Sequence, residues 1–172
     1  MGIEIERKFL LRADTWRAGV TRTLHLRQGY LIDAAALAAG LARASVRVRV
    51  QDATAWLNIK AARAGIARDE YDYAIPPADA ERMLQTLCNG LIEKRRHVVP
   101  VDGVHFEIDE FLGDNAGLVV AELEQPAEDA PFPRPPWLGR EVSQHLRYFN
   151  VNLIAHPYAA WNARERAGDE TC

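Results

Sequence analysis

The sequence predicts a mainly β protein (α+β), built as an antiparallel sheet or barrel with a few helices. Eight segments alternate apolar and polar residues with a period of two, which is typical of strands with one buried face. Short connectors join most of these segments in sequence order, which favours antiparallel neighbours. Helical periodicity is confined to a few stretches. The predicted strands cover residues 3–9, 25–32, 46–51, 56–61, 67–75, 93–99, 104–111 and 118–124.

Length and composition fit one globular domain, which we take to be residues 1–172. Of these residues, 48% are hydrophobic and 26% are charged, both ordinary values. The net charge of -3 argues against nucleic acid or an anionic membrane as a partner. Cys88 and Cys172 form no metal-binding spacing, and the N-terminus has no apolar signal segment. We therefore expect a cytoplasmic protein; its oligomeric state is left open, with a homodimer as one option.

Each predicted strand places its polar residues on one face. The first strand, for example, sets Glu4, Glu6 and Lys8 against Ile5 and Phe9. The alternation of polar and apolar residues is weaker in the second strand. Taken strand by strand after the first, the polar faces carry Gln28 and Tyr30; Arg47 and Arg49; Asn58 and Lys60; Arg68, Glu70 and Asp72; Lys94 and Arg96; Glu107 and Asp109; Glu122 and Glu124.

Helices are predicted between and after the strands. The clearest covers 77–91, because Pro77 suits a first turn, apolar residues repeat at helical spacing and Asn89-Gly90 suits an end. The Ala-rich stretch 34–44 is interpreted as a helical or mobile excursion. Five prolines make 126–136 an extended connector. Further short helices are predicted over 13–18, 140–147 and 152–166.

The polar faces hold almost only ions, including all three lysines of the chain, Lys8, Lys60 and Lys94. Two geometries fit this pattern. An open sheet would show its ionic face to solvent, whereas a closed barrel would place the ions inside. The closed barrel explains the density of ions better, because buried charges must pair with each other or with a ligand.

The charged residues are sorted by sign, which predicts a chemistry. Glu4 with Glu6, and Glu122 with Glu124, form two pairs of neighbouring carboxylates, whose repulsion a hard divalent cation such as Mg²⁺ or Mn²⁺ would relieve. Such a metal beside a basic cluster is typical of phosphoryl transfer. The chain has no Gly-rich phosphate loop, so side chains would hold the phosphates. The cations favouring a polyanion are Arg47, Arg49, Lys60, Lys94 and Arg96.

The opening E-x-E-x-K pattern at 4–8 resembles the signature of the CYTH superfamily, also called triphosphate tunnel metalloenzymes. The resemblance extends over nearly the whole chain, because further segments follow in the family's order. The tail segments resemble those of short bacterial members. These segments are VRVR at 46–49, NIK at 58–60, RDEYDY at 68–73, EKRR at 93–96, FEIDEF at 106–111, AELE at 121–124, WLGREVS at 137–143 and RYFN at 147–150.

The resemblance implies an eight-stranded antiparallel barrel with a polar, charged interior and a few covering helices. It implies that the interior binds triphosphate and a divalent metal. It also implies that Lys8 and Tyr30 handle the attacking water. The implied metal ligands are Glu4, Glu6, Glu122 and Glu124 with Asp109 in addition, and the implied phosphate-binding residues are Lys8, Arg47, Arg49, Lys60, Lys94 and Arg96.

The resulting hypothesis is divalent-metal-dependent hydrolysis of a small-molecule triphosphate. Inorganic tripolyphosphate is the favoured substrate and nucleoside triphosphates come second, because Tyr30 is the only aromatic residue in phase with the ionic set. Three alternatives stay open. A class IV adenylyl cyclase would make cyclic AMP from ATP with the same carboxylates, and a non-catalytic module would bind polyphosphate without turnover. A sheet protein with a charged outer face would have no site.

Overall fold

A computed structural model describes residues 2–62 and 67–167 of the chain. Within these two ranges the backbone forms nine strands. All nine belong to one sheet, in which every pair is antiparallel. The strands are β1 (Gly2–Leu11), β2 (Arg22–Ile32), β3 (Ala44–Gln51), β4 (Thr54–Ala61), β5 (Ala67–Ala74), β6 (Leu91–Val101), β7 (Val104–Phe111), β8 (Val119–Glu124) and β9 (Leu138–Glu141).

Eight of the strands close into a barrel, which confirms the predicted fold class. The order is β5-β4-β3-β2-β6-β7-β8-β1, and β1 returns to β5. The first part of β1 pairs with β5, from Gly2 opposite Glu70 to Ile5 opposite Ala67. Residues 6–10 of β1 pair with β8. Because β1 pairs with both β5 and β8, its inward side chains lie next to those of both strands.

The ninth strand corrects the prediction of a helix over 140–147. β9 pairs with the C-terminal end of β1, with Leu138 opposite Leu11. Gly139 permits this approach, because a Cβ atom there would lie 2.5 Å from the carbonyl oxygen of Leu10. The backbone after β9 forms only a short 3-10 helix, Leu146–Tyr148.

The helices are short and lie in the connections between strands and in the C-terminal segment. The predicted helix 77–91 is too long at its C-terminal end: it ends at Thr86, and Leu91 instead begins β6 opposite Gly29. The predicted helix 152–166 is divided into shorter turns. Residues 126–136 form neither helix nor strand, as predicted. The helices are α1 (Ala34–Ala38), α2 (Pro77–Thr86), α3 (Asn150–Ala155) and α4 (Ala163–Ala167), with 3-10 helices at Thr15–Gly19, Gly113–Asn115, Leu146–Tyr148 and Tyr158–Ala160.

The outward faces of several barrel strands carry apolar residues, which the connecting segments cover. Phe106, on β7, packs in a cluster that Trp16 and Trp137 cover from outside. A second cluster on β3 and β4 packs against Ala80 and Leu84 of α2. This burial of apolar surface stabilises the closed sheet while leaving the inner faces polar. Within the described ranges, no helix combines the length and hydropathy needed to cross a bilayer.

One end of the barrel interior is apolar. There the inward residues of β1, β6, β7 and β8 are hydrophobic instead of charged. The change is visible in the strand register, where Phe111 lies opposite Lys94 and Val120 lies opposite Asp109. The C-terminal segment covers this end. The apolar set is formed by Leu10, Ile92, Phe111 and Val120 of the barrel with Tyr148, Leu153 and Trp161 of the tail. The charged part of the interior is therefore closed at one end.

Candidate active site

A cavity of about 250 Å³ lies inside the barrel, and charged side chains line most of it. The structure brings eleven of the twelve predicted site residues to this cavity. The exception is Asp109. The eleven are Glu4, Glu6, Lys8, Tyr30, Arg47, Arg49, Lys60, Lys94, Arg96, Glu122 and Glu124.

Strand register places the four predicted metal carboxylates on the paired strands β1 and β8, where all four line the same cavity. Glu6 lies opposite Glu124, and Lys8 lies opposite Glu122, on the paired strands β1 and β8. Glu4 precedes Glu6 by two residues and therefore lies on the same face of β1. Partners in an antiparallel pair point to the same side of the sheet, so the carboxylates enter the cavity from two adjacent strands.

Glu124 carries the clearest sign of accumulated negative charge. Among the described residues it makes no ion pair. Burial raises the pKa of Glu124, and the neighbouring carboxylates of Glu4, Glu6 and Glu70 raise it further. Carboxylate oxygens at high negative charge density are the ligands that a hard divalent cation prefers. The donor set therefore fits such a cation in its chemistry.

The other three carboxylates are turned toward bases. The ammonium of Lys8 contacts both Glu6 and Glu122, and Arg96 also contacts Glu122. Consequently, no three Asp, Glu, His or Cys side chains of the described ranges are gathered as closely as a metal ion requires. Burial lowers the pKa of Lys8, but Glu122 and Glu6 outweigh burial and raise it overall. Lys8 is therefore a permanent cation in this arrangement.

Lys60, on β4, holds Glu4 of β1 within the cavity. Its Nζ donates to Oε2 of Glu4 at 2.7 Å and to Oε1 at 2.9 Å, and lies 3.3 Å from Oε1 of Glu70. Arg47 lies farther from Glu70, at 3.7 Å, and its Nε donates to the amide oxygen of Asn58 at 3.0 Å. Lys60 is thus the closer partner for the carboxylates on its side of the cavity.

Arg49 and Arg68 differ from these cations because neither has a carboxylate partner among the described residues. The Nε atom of each is buried and makes no hydrogen bond. Burial lowers the pKa of Arg49 to about 10, and repulsion from Arg47 and Arg96 adds to that shift. A buried cation beside like charges is costly unless an anion binds to it. The pair therefore indicates an anionic ligand.

Arg68 was not among the predicted phosphate-binding residues, although it lines the cavity. The available signal was its phase, because Arg68 shares the inward face of β5 with Glu70. Its register opposite Glu4 could not be read from the sequence.

Asp109 is fully buried inside the barrel and does not line the cavity. It accepts hydrogen bonds from Nε and Nη2 of Arg96, both at 2.7 Å, and contacts the ammonium of Lys94. Burial lowers the pKa of Lys94, and Asp109 offsets only part of that shift. In this arrangement Asp109 holds Lys94 and Arg96 in place, and its role as a metal ligand stays a prediction.

Tyr30 lines the cavity and is buried. Its hydroxyl lies 3.5 Å from the Gln28 amide nitrogen. Burial raises the pKa of Tyr30, although the nearby charges of Arg47 and Lys8 act in the opposite direction. The phenol is therefore protonated at neutral pH and can donate a hydrogen bond into the cavity.

The C-terminal segment contributes a part of the wall that sequence reasoning missed. Phe149, Asn150 and Val151 all line the cavity. The Phe149 ring centroid lies 5.6 Å from Nζ of Lys8 and 5.0 Å from Cζ of Arg68, within the range of cation–π contacts. No local pattern predicts this contact, because it joins the two ends of the chain.

Comparison with known proteins adds four findings. The family model described as CYTH domain matches residues 2–158. An inorganic triphosphatase of Acetivibrio thermocellus is 43% identical over 159 residues, covering 92% of this chain and 97% of that protein. One of Nitrosomonas europaea is 34% identical, covering 87% and 95%. A crystal structure of an inorganic triphosphatase aligns with a TM-score of 0.62 at 32% identity, covering 90% of this chain and 95% of that one.

Proposed function

The chain belongs to the CYTH domain family, and from that membership we propose that it is a divalent-metal-dependent triphosphatase. The proposed reaction is attack of water on inorganic tripolyphosphate, which breaks one phosphoanhydride bond and releases pyrophosphate and orthophosphate. Nucleoside triphosphates are proposed as poorer substrates. Both curated relatives described above are named inorganic triphosphatases, which supports the same reaction.

The observation that carries the proposal is the pair of guanidinium groups inside the barrel that lack carboxylate partners. Arg49 and Arg68 line the cavity with their Nε atoms buried, and an unpaired cation in such a position is costly. A triphosphate carries several negative charges and oxygen acceptors, and it suits the planar guanidinium fork. The cations proposed to bind its phosphates are Lys8, Arg47, Arg49, Lys60, Lys94 and Arg96, together with Arg68.

We propose that Glu4, Glu6, Glu122 and Glu124 would hold the metal, for which Mg²⁺ and Mn²⁺ are the candidates. The accumulated charge around Glu124 supports this assignment. When bound, a divalent cation supplies Lewis acidity that neutralises charge on the phosphates.

Lys8 and Tyr30 are proposed to orient the attacking water and the reacting phosphate. Because both groups are protonated at neutral pH, they act as hydrogen-bond donors and as electrostatic support rather than as bases. Phe149 packs against Lys8 and limits the directions that its ammonium can take.

The preference for an inorganic substrate rests on the aromatic content of the cavity wall. Among the described residues, Tyr30 and Phe149 are its aromatic side chains. The Phe149 ring is already stacked against Lys8 and Arg68, so the wall offers little free aromatic surface to a nucleobase.

The test is a substrate panel with full product analysis. Purified protein is incubated with tripolyphosphate, ATP or pyrophosphate in the presence of Mg²⁺, Mn²⁺ or EDTA. The proposal expects metal-dependent release of orthophosphate and pyrophosphate from tripolyphosphate, with ATP slower. Cyclic AMP from ATP would assign a cyclase instead. Tight binding of tripolyphosphate without any product would assign a binding module.

A further inference from the structure

Five of the seven cations that line the cavity fall into two classes. Lys8, Lys60 and Arg96 contact carboxylates that are proposed to hold the metal. Arg49 and Arg68 have no carboxylate partner among the described residues. The cations of the first class already pair with carboxylates of the protein, whereas Arg49 and Arg68 are available to bind an anion.

The Lys60–Glu4 pair shows what this means for binding. Both oxygens of Glu4 accept from Nζ of Lys60, at 2.7 Å and 2.9 Å, and both side chains are largely buried. A metal bound to Glu4 competes with Lys60 for these two oxygens. A phosphate bound to Lys60 competes with Glu4 for the ammonium. Either ligand alone therefore weakens the same ion pair, and less of it remains for the second ligand to displace.

We propose that these internal ion pairs couple the metal to the triphosphate, so that each ligand strengthens the binding of the other. Arg49 and Arg68 receive the triphosphate first, and Lys60 joins them once a metal has taken Glu4. The inference rests on the proposed function for the identity of the two ligands. Such coupling is reciprocal by linkage, because it is one free energy shared between two sites.

The first arm of the test measures triphosphate binding without metal. Tripolyphosphate is titrated into metal-stripped protein in EDTA at pH 8, and Kd is measured by calorimetry. Glu4→Gln is compared with Glu124→Gln, because each removes one carboxylate from the same cavity and only Glu4 holds a lysine. Glu4→Gln should bind about tenfold tighter than wild type, as expected for release of an ion pair worth about 1.4 kcal/mol. Glu124→Gln should gain about threefold or less.

The second arm measures metal binding without triphosphate. Mn²⁺ is titrated into the protein, and free Mn²⁺ is followed by electron paramagnetic resonance. Lys60→Met is compared with Arg49→Met, because each removes one cation from the cavity and only Lys60 holds a carboxylate. Lys60→Met should bind Mn²⁺ about tenfold tighter than wild type, and Arg49→Met about threefold or less.

Equal gains within each matched pair would overturn the proposal, because they would show that total cavity charge alone sets the affinities. Circular dichroism identifies any variant that fails to fold, and the other arm then decides. Neither arm uses turnover, so an inactive protein with unequal gains would reject the proposed hydrolysis and keep the coupling. An active protein with equal gains would do the reverse.

Discussion

Glu6 and Glu124 lie opposite each other on the neighbouring strands β1 and β8, and both side chains line the interior cavity. Two carboxylates in this relationship repel each other unless a cation lies between or beside them. Lys8 contacts Glu6, but no described base pairs with Glu124. This asymmetry leaves net negative charge at one end of a cavity that is otherwise rich in cations.

Glu6→Gln and Glu124→Gln should each lower kcat/KM for tripolyphosphate by about a hundredfold, because each removes a proposed metal ligand. A high Mn²⁺ concentration should restore only part of the lost kcat/KM. Steady-state phosphate release measures it. The matched control is Glu128→Gln, which changes an exposed carboxylate in the connector after β8 and should leave the rate unchanged. Wild-type rates in either cavity variant would remove these two residues from the metal site.

Arg68→Met should raise KM for tripolyphosphate about tenfold, since an unpaired guanidinium in the cavity is available for charge-assisted contacts with phosphate. Arg95→Met is the matched control, because Arg95 is exposed on β6. Initial-rate kinetics over a range of substrate concentrations separate KM from kcat. If both variants change KM equally, the effect belongs to overall charge and Arg68 has no specific contact.

Asp109→Asn should destabilise the metal-free protein by about 3–5 kcal/mol, because it leaves Lys94 and Arg96 buried together with less compensating charge. Urea unfolding in EDTA measures this change. Adding Lys94→Met to Asp109→Asn should restore part of the stability by restoring the charge balance. A variant that is as stable as wild type in EDTA, and less stable than wild type only when Mn²⁺ is present, would identify Asp109 as a metal ligand instead.

Strand periodicity predicted which residues face the interior, because alternation is a local property of the chain. Lys60 and Glu124, on distant strands, were both assigned to the inward face from their phase alone, and both line the cavity. Periodicity could not give depth along the barrel axis. Asp109 shares the phase of Glu107, yet only Glu107 reaches the cavity.

Contacts between residues far apart in the chain also could not be predicted from the sequence. Phe149 reaches Lys8 only because the C-terminal segment folds back over one end of the barrel. β9 is four residues long, too short to show alternation, and it forms because Gly139 can lie against the backbone at Leu10. The partner of each cavity ion depends on strand register, which the pattern alone did not determine.

Stability should depend on pH through the Arg7–Glu141 pair outside the barrel. Nε of Arg7 donates to Glu141 at 2.9 Å, and Ser143 donates to the same oxygen at 2.8 Å. Burial raises the pKa of Glu141, but the hydrogen bonds from Arg7 and Ser143 outweigh burial and lower it overall, below its ordinary 4.5. The pair therefore stabilises the fold above that value and loses this contribution as pH falls through the lowered pKa.

Wild type should accordingly be about 1 kcal/mol more stable than Glu141→Gln at pH 7, and the difference should decrease on acidification below about pH 4.5. Urea unfolding at several pH values measures both proteins. Glu128→Gln should match wild type at every pH. A Glu141→Gln difference that stays constant or grows on acidification would contradict the assigned pKa direction.

Anomalous diffraction most directly tests the claim that the ions inside the barrel form the binding site. Crystals are soaked with Mn²⁺ and tripolyphosphate, and data are collected near the manganese absorption edge. We expect an anomalous peak inside the barrel beside the carboxylates of β1 and β8, with phosphate density against Arg49 and Arg68. Manganese and phosphate found only on the outer surface, with an empty interior, would contradict the claim.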